Sequence, residues 1–449
     1  MNDANPLDIS RDHGHLTDLV ERILLLARRA GADAAEVSAS EDAGLSVSVR
    51  MGELETVEFN RDKGFGIAVY FDGHKGTAST SDTTVDAVEA TVAAACNIAR
   101  FTAADPCNGL ADPHLMAREI PDLDLSHPWP LSTDEACAMA LAAEAKARAH
   151  DARIVNSEGA GISTHQSLFV YGNSHGFLGR QIGTRHGLSC AVIAADAKGM
   201  QRDHWFTVAR RRDQLDAPEA VGDEAARRAV ARLGARTVAT GRFPVLFAPE
   251  VSGGLIGHLI GALSGGALYR RASFLLDSIG RALLPAWISV VERPRRRGGL
   301  SSTAFDAEGV ATYDKAFIDA GVVASYVLGS YSARRLGMVT TANAGGVHNL
   351  SVVGKREPAT TLLARMQRGL LVTELMGQGV NTVTGDYSRG AAGFWIEDGA
   401  IAYPVAEVTI AGNLSEMLGA IVGLGDDLDA RFNVQSGSML IESMMVAGD

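Results

Sequence analysis

A chain of 449 residues with 46% hydrophobic and 21% charged residues has the composition of a globular protein large enough for roughly two or three domains with ample core. Its formal net charge of -12 disfavours a surface that tracks phosphates, so no direct contact with nucleic acid is expected. The four cysteines, Cys96, Cys107, Cys137 and Cys190, make no C-x-x-C pair and no metal-finger spacing, which fits free thiols in a reducing cytosol.

The opening MNDANPLDISRDHGH is polar, with no apolar h-region, and no apolar run reaches the roughly 18–20 residues of a membrane span. A cytoplasmic protein without membrane contact is expected. Residues 15–31 read as an amphipathic helix closed by Gly31. The short β-rich runs AAEVSAS, LSVSVRMG, ETVEFN and FGIAVYFDG follow, with MGELE and FDGHKG as turns, and predict an antiparallel meander. A second helix follows, with Ser81 or Asp82 as the expected N-cap. Residues 102–130, rich in proline, read as a connector over the surface and a sub-boundary. STDEACAMALAAEAKARAHD predicts a helix opened by an S-x-x-E capping box from Ser132 to Glu135. A second meander over 154–210 has NSEG, YGNSHG and DAKG as turns, and a helix over 218–233 completes a block that looks like the first.

The main boundary falls near 236–241, giving an N-terminal region over 1–236 and a C-terminal domain over 237–449. GRFPVLFAPE predicts a buried strand running into a helix over 249–263, with further helices over 358–366 and 415–422 in a half rich in glycine and strands. The fold class is therefore α+β, an N-terminal helix-plus-antiparallel-meander region followed by a β-rich, Gly-rich C-terminal domain. The basic run 293–297 reads as a solvated loop.

The helix GGLIGHLIGALSGG raises the functional question. Gly253, Gly257, Gly261 and Gly265 recur every fourth residue, so they form one stripe, at about 1 kcal/mol each against alanine in a helix interior. Close packing of backbone against that stripe is the expected compensation, with His258 on a different face. A lone histidine among apolar residues reads first as a satisfied core residue. As a zinc peptidase centre the helix lacks what the chemistry requires, since Gly254 stands four residues before His258 and one imidazole does not make three ligands. No G-x-S-x-G elbow and no phosphate loop is present. Farther on, Glu374, Asn381, Asp386, Tyr387, Ser388 and Arg389 cluster among glycines. They read either as a substrate groove or interface suited to strand addition, or as turn caps and surface pairs.

Several long blocks resemble the TldD/PmbA (TldE) family, most closely its PmbA branch. They are KGFGIAVYFDGHKGTASTSD, the glycine helix, STAFDAEGVAT, YVLGSYSARRLG and the stretch from Gly369 to Leu414. The resemblance implies a two-subunit cytoplasmic metallopeptidase acting on peptides and unfolded polypeptides, its zinc held by an H-E-x-x-x-H helix and a late cysteine of a TldD-type subunit. On that correspondence Gly253 and Gly254 replace the first histidine and the glutamate, and His258 matches the last histidine. Gln435 and Ser436 stand where the cysteine is expected. The implied picture is a chain without its own complete zinc site that builds chamber and interface beside a TldD-like subunit or in a homodimer. An independent peptidase centred on His258 and a non-enzymatic regulator are the other readings; the family's older label, modulator of DNA gyrase, points to the last.

Overall fold

The computed structural model describes Ile9 and residues 13–448, so most of the polar opening lies outside the described residues. The N-terminal half contains two copies of one helix-meander-helix unit. In the first, α1 (His13–Arg29) precedes strands β1 (Ala34–Arg50), β2 (Glu53–Phe71) and β3 (His74–Thr80), then α2 (Val85–Phe101). In the second, α3 (Thr133–His150) precedes β4 (Ile154–Asn173), β5 (Leu178–Asp196) and β6 (Gly199–Ala209), then α4 (Pro218–Ala231). The meanders join edge to edge through β1 and β4 into one antiparallel sheet of order β3-β2-β1-β4-β5-β6. One face of that sheet carries all four helices. On α1 the residues Leu16, Leu19, Val20, Ile23 and Ala27 are buried, the stripe expected of an amphipathic helix. The Ser132 cap forms as read, its side chain accepting from the Glu135 N–H.

Small residues set how closely the layers approach. A Cβ on Gly222 of α4 would lie 1.9 Å from the Ala143 carbonyl of α3, and one on Gly76 of β3 would lie 2.0 Å from the Ala95 carbonyl of α2. Both are backbone contacts, so only glycine fits.

Several local expectations need correction. The four short runs of the first meander are two long strands, because Gly44 and Gly64 stay in the ladder. Gly44 is small for another reason: the His165 ring occupies the space a Cβ would need. NSEG is an irregularity within β4, not a turn. The N-cap of α2 is Thr84, and Asp82 accepts from its N–H one step earlier. Residues 102–130 are not merely draped. Met116, Leu123 and Leu125 are buried with Phe177 and with Phe305 of the other half, so the connector is a joint with its own core.

The C-terminal half opens with β7 (Gly241–Phe247), α5 (Pro249–Ala262) and α6 (Gly265–Tyr269). Next come β8 (Ser289–Glu292), β9 (Lys315–Asp319), β10 (Val322–Val323), α7 (Ser330–Arg335), β11 (Leu350–Val353), β12 (Arg356–Glu357) and α8 (Ala359–Met366). It ends with β13 (Gly369–Met376), β14 (Asp386–Glu397), β15 (Ala400–Asn413), α9 (Leu414–Gly419), β16 (Ile421–Gly425), β17 (Val434–Gln435) and β18 (Met439–Ala447). One sheet runs β10-β9-β8-β11-β17 and the other β12-β16-β18-β15-β14-β13-β7, with β18 also paired to β7 so that five strands close into a ring. The class is α+β, as the sequence implies. Among the described residues no helix is long and apolar enough to cross a membrane.

The basic run is an exposed loop, as expected, and it also makes bonds of its own. Arg295 donates to the Ala304 carbonyl, Arg296 to Gln435 and Arg297 to the Asp122 carbonyl, so the run ties three segments together.

Candidate functional site

Helix α5 starts directly after β7. Pro249 suits its first turn, where an N–H would be unpaired, and Glu250 faces the positive end of the helix dipole. Leu255, Ile256, Leu259 and Ile260 bury its apolar face in the C-terminal core. The glycines do not behave as expected. Added Cβ atoms on Gly254, Gly257 and Gly261 would meet no atom within 4 Å, and all three residues are exposed. Gly253 makes only ordinary contact with Val434, and Gly265, which is tightly packed against Ser332, belongs to α6. The open stripe is therefore 254, 257 and 261, spaced so that His258 shares it. The glycines clear the surface around the histidine; they do not seat a neighbouring backbone.

His258 is half-buried, with the Tyr387 ring edge-on at 6.0 Å between centroids. Burial, and then the Arg389 charge, hold its pKa below the usual imidazole range, which favours the neutral ring at pH 7. Tyr387 and Arg389 lie two residues apart on β14 and so on one face of the strand. Tyr387 is 2% exposed, its hydroxyl makes no hydrogen bond of normal geometry, and burial pushes its pKa up to about 12 against the opposing effect of the neighbouring Arg389. The Nε of Arg389 is likewise buried without a partner.

The other predicted residues lie elsewhere. Asn381 accepts from the N–H groups of Val383 and Thr384, while Asp386 accepts from Thr384 Oγ1, so these two organise the turn before β14. Ser388 is exposed on the opposite face of the strand from Tyr387, its N–H donating to Gly379. Glu374 is held 2.5 Å from Arg232, the C-cap of α4. That pair extends a network the sequence reading missed. Asp203 of β6 pairs with Arg228 and Arg232, and Arg228 reaches Glu250 at 2.8 Å. The N-terminal half thus grips the first turn of the glycine helix. The available signal was the i, i+4 spacing of Arg228 and Arg232, which puts two cations on one face of α4. Replacing Arg228 with alanine leaves Asp203 and Glu250 short of a cation. It is expected to cost about 2–3 kcal/mol, read as a lowered urea midpoint with unchanged slope.

The ends of the degenerate motif do meet in space. Gly253 packs beside Val434, next to Gln435, whose Oε1 accepts from Arg296 at 2.7 Å. Ser436 is buried and its hydroxyl donates to the Gly437 carbonyl. A catalytic zinc takes three imidazole, thiolate or carboxylate ligands. Two glycines, an imidazole, an amide and a hydroxyl do not supply that set. Among the described residues no three His, Cys, Asp or Glu side chains converge as a metal-holding group. All four cysteines are free and in the other half, and burial raises the Cys190 thiol to about 12.

Comparison with known proteins places this arrangement. Models of the PmbA/TldA metallopeptidase family match in three consecutive parts: domain 1 over residues 35–99, the central domain over 126–233 and the C-terminal domain over 240–448. The metalloprotease PmbA of Escherichia coli O157:H7 is 49% identical over 416 residues, covering 93% of this chain and 92% of that protein. This chain belongs to the PmbA/TldD metallopeptidase family. Among solved structures of the same fold, a protein from Bacteroides thetaiotaomicron described as a candidate modulator of DNA gyrase superposes with a TM-score of 0.91 at 26% identity, covering 96% of this chain and 98% of that one. TldE from Thermococcus kodakarensis shares the fold at a TM-score of 0.84 and 20% identity, covering 96% of this chain and all of that one. Within that fold the start of the glycine helix and the segment around Gln435 are neighbours.

Proposed function

We propose that this chain is the PmbA/TldE-type subunit of a cytoplasmic TldD/TldE-type peptidase. It lines the substrate chamber and holds peptide or unfolded polypeptide, while a TldD-type partner carries the zinc. The observation that carries the reading is the donor set where α5 meets β17: Gly253 beside Val434, the chain neighbour of Gln435, then the open Gly254, with His258 as the one imidazole on the open stripe. An exposed helix face cleared of side chains suits a passing main chain, which needs backbone access more than side-chain pockets.

The test is zinc content and casein cleavage, measured on the isolated chain and on its mixture with a TldD-type subunit. The expected result is substoichiometric zinc and no cleavage alone, with cleavage in the mixture that depends on the partner's metal. Stoichiometric zinc together with cleavage by the isolated chain would overturn the reading.

A further inference from the structure

The His258 cluster is rich in donors and short of acceptors. Tyr387 is almost fully buried, and its hydroxyl, beside the Arg389 side chain, makes no hydrogen bond of normal geometry; the buried Arg389 Nε–H makes none either. Buried donors left unmade are costly, and a bound ligand is one way in which a fold completes them. These two side chains project from the same face of β14, and His258 brings the open edge of α5 against Tyr387. Burial and, after it, the positive charge of Arg389 disfavour protonation of the His258 ring.

The missing component is an anion, and the charge decides which. With His258 neutral, the cluster carries one formal positive charge, on Arg389. That balances a monoanion; a phosphate dianion would leave charge uncompensated in a half-buried site. A guanidinium and a hydroxyl on one strand face match the two oxygens of a carboxylate. Gly254, Gly257 and Gly261 leave the adjoining helix surface open for the chain that bears it.

We infer that Arg389 and Tyr387, with the His258 ring beside them, form a subsite for the carboxylate of a peptide lying on the glycine face of α5. The carboxylate is either the C-terminal group or an Asp or Glu side chain. The inference rests on the reading that this face receives polypeptide, but it concerns binding by this chain and not cleavage.

Fluorescence anisotropy of the full chain tests it with three N-terminally labelled Gly-Ala-Ala-Leu peptides: the free acid, the C-terminal amide, and an amide in which an internal alanine is replaced by aspartate. At least one acidic peptide should bind 10-fold or more tightly than the neutral amide. Tight binding of the free acid assigns the C-terminal carboxylate, and tight binding of the aspartyl amide assigns a side chain. Arg389→Gln should weaken the preferred peptide by about 10- to 100-fold, the range for hydrogen bonds to charged groups, and Tyr387→Phe by about 3- to 10-fold, the range for an ordinary hydrogen bond. Tyr387→Phe keeps the buried ring and removes only the hydroxyl, so it decides the matter even if Arg389→Gln impairs folding. Equal binding of all three peptides, no binding of either acidic one at millimolar concentration, or affinities unmoved by Tyr387→Phe would overturn the subsite. Zinc content of the same preparation separates this outcome from failure of the subunit reading.

Discussion

Replacing Glu292 with alanine is expected to lower stability by about 3–5 kcal/mol, the cost of leaving one member of a buried ion pair alone. Glu292 is fully buried at the end of β8, and Lys315, its register partner on β9, places Nζ 2.5 Å from Oε2 with a side-chain exposure of 6%. The carboxylate also accepts from Asn343 Nδ2 at 3.0 Å and from the His348 N–H at 2.5 Å. The alanine variant therefore strands an ammonium, held 4.4 Å above the Tyr313 ring, and two further donors. Many buried ion pairs can be exchanged for apolar residues at little cost. Here Glu292→Leu combined with Lys315→Met should recover only part of the loss, because the His348 N–H and one N–H of Asn343, whose Nδ2 also donates to the Gly346 carbonyl, still lose their acceptor. Urea unfolding of both single variants and the double measures this. A double variant as stable as the natural chain would mean that those two donors find other partners.

Asp306 should give the chain a stability component that declines with rising pH. Its carboxyl is 2% exposed, and burial, reinforced by Glu308, raises its pKa from 3.8 to about 7 despite N–H donation from Glu308, Ala344 and Val310. The folded state therefore holds a proton that the unfolded chain releases near pH 4. The contribution is fully present below that point and is lost progressively as pH rises to about 7. At 1.36 kcal/mol per unit the change is on the order of 4 kcal/mol. Other carboxylates slope the opposite way, so the quantity to measure is the stability difference between the natural chain and Asp306→Asn at pH 4, 5.5 and 7.5. It should move against the natural chain across that range. A difference constant with pH would show that the three backbone donors hold Asp306 ionised throughout.

Elements with local causes were legible in the sequence. The burial period of α1, the Ser132 cap and the turns between strands of each meander all depend on residues within a few positions of one another. The family was legible because its blocks are long and ordered. What escaped depends on distant contacts. Gly44 signals a chain break by its type, but its cause is the ring of His165 on a neighbouring strand. The four-residue glycine stripe of α5 was real as a pattern, yet its middle faces open space and its last member begins another helix, which no spacing rule distinguishes from tight packing. In the same way Glu374 looked like part of a groove because it sits among glycines. Its partner is an arginine in the other half. Tyr387 and Arg389 were singled out with their neighbours, and the two-residue period of a strand separates them from Asp386 and Ser388 only once β14 is fixed.

The pairing of β7 with β18 has a consequence for synthesis. The first strand of the C-terminal half is completed by its last, so nearly the whole of that half must leave the ribosome before the strand ring can close. The two N-terminal units have no such requirement within their sheet, since each meander pairs neighbours in sequence and β4 adds to a β1 already made. The nascent chain therefore carries a sheet ready to form early and a second half of high contact order that forms late. Until Met439–Ala447 arrives, one edge of β7 stays unpaired, a window in which a chaperone or a misplaced strand can compete.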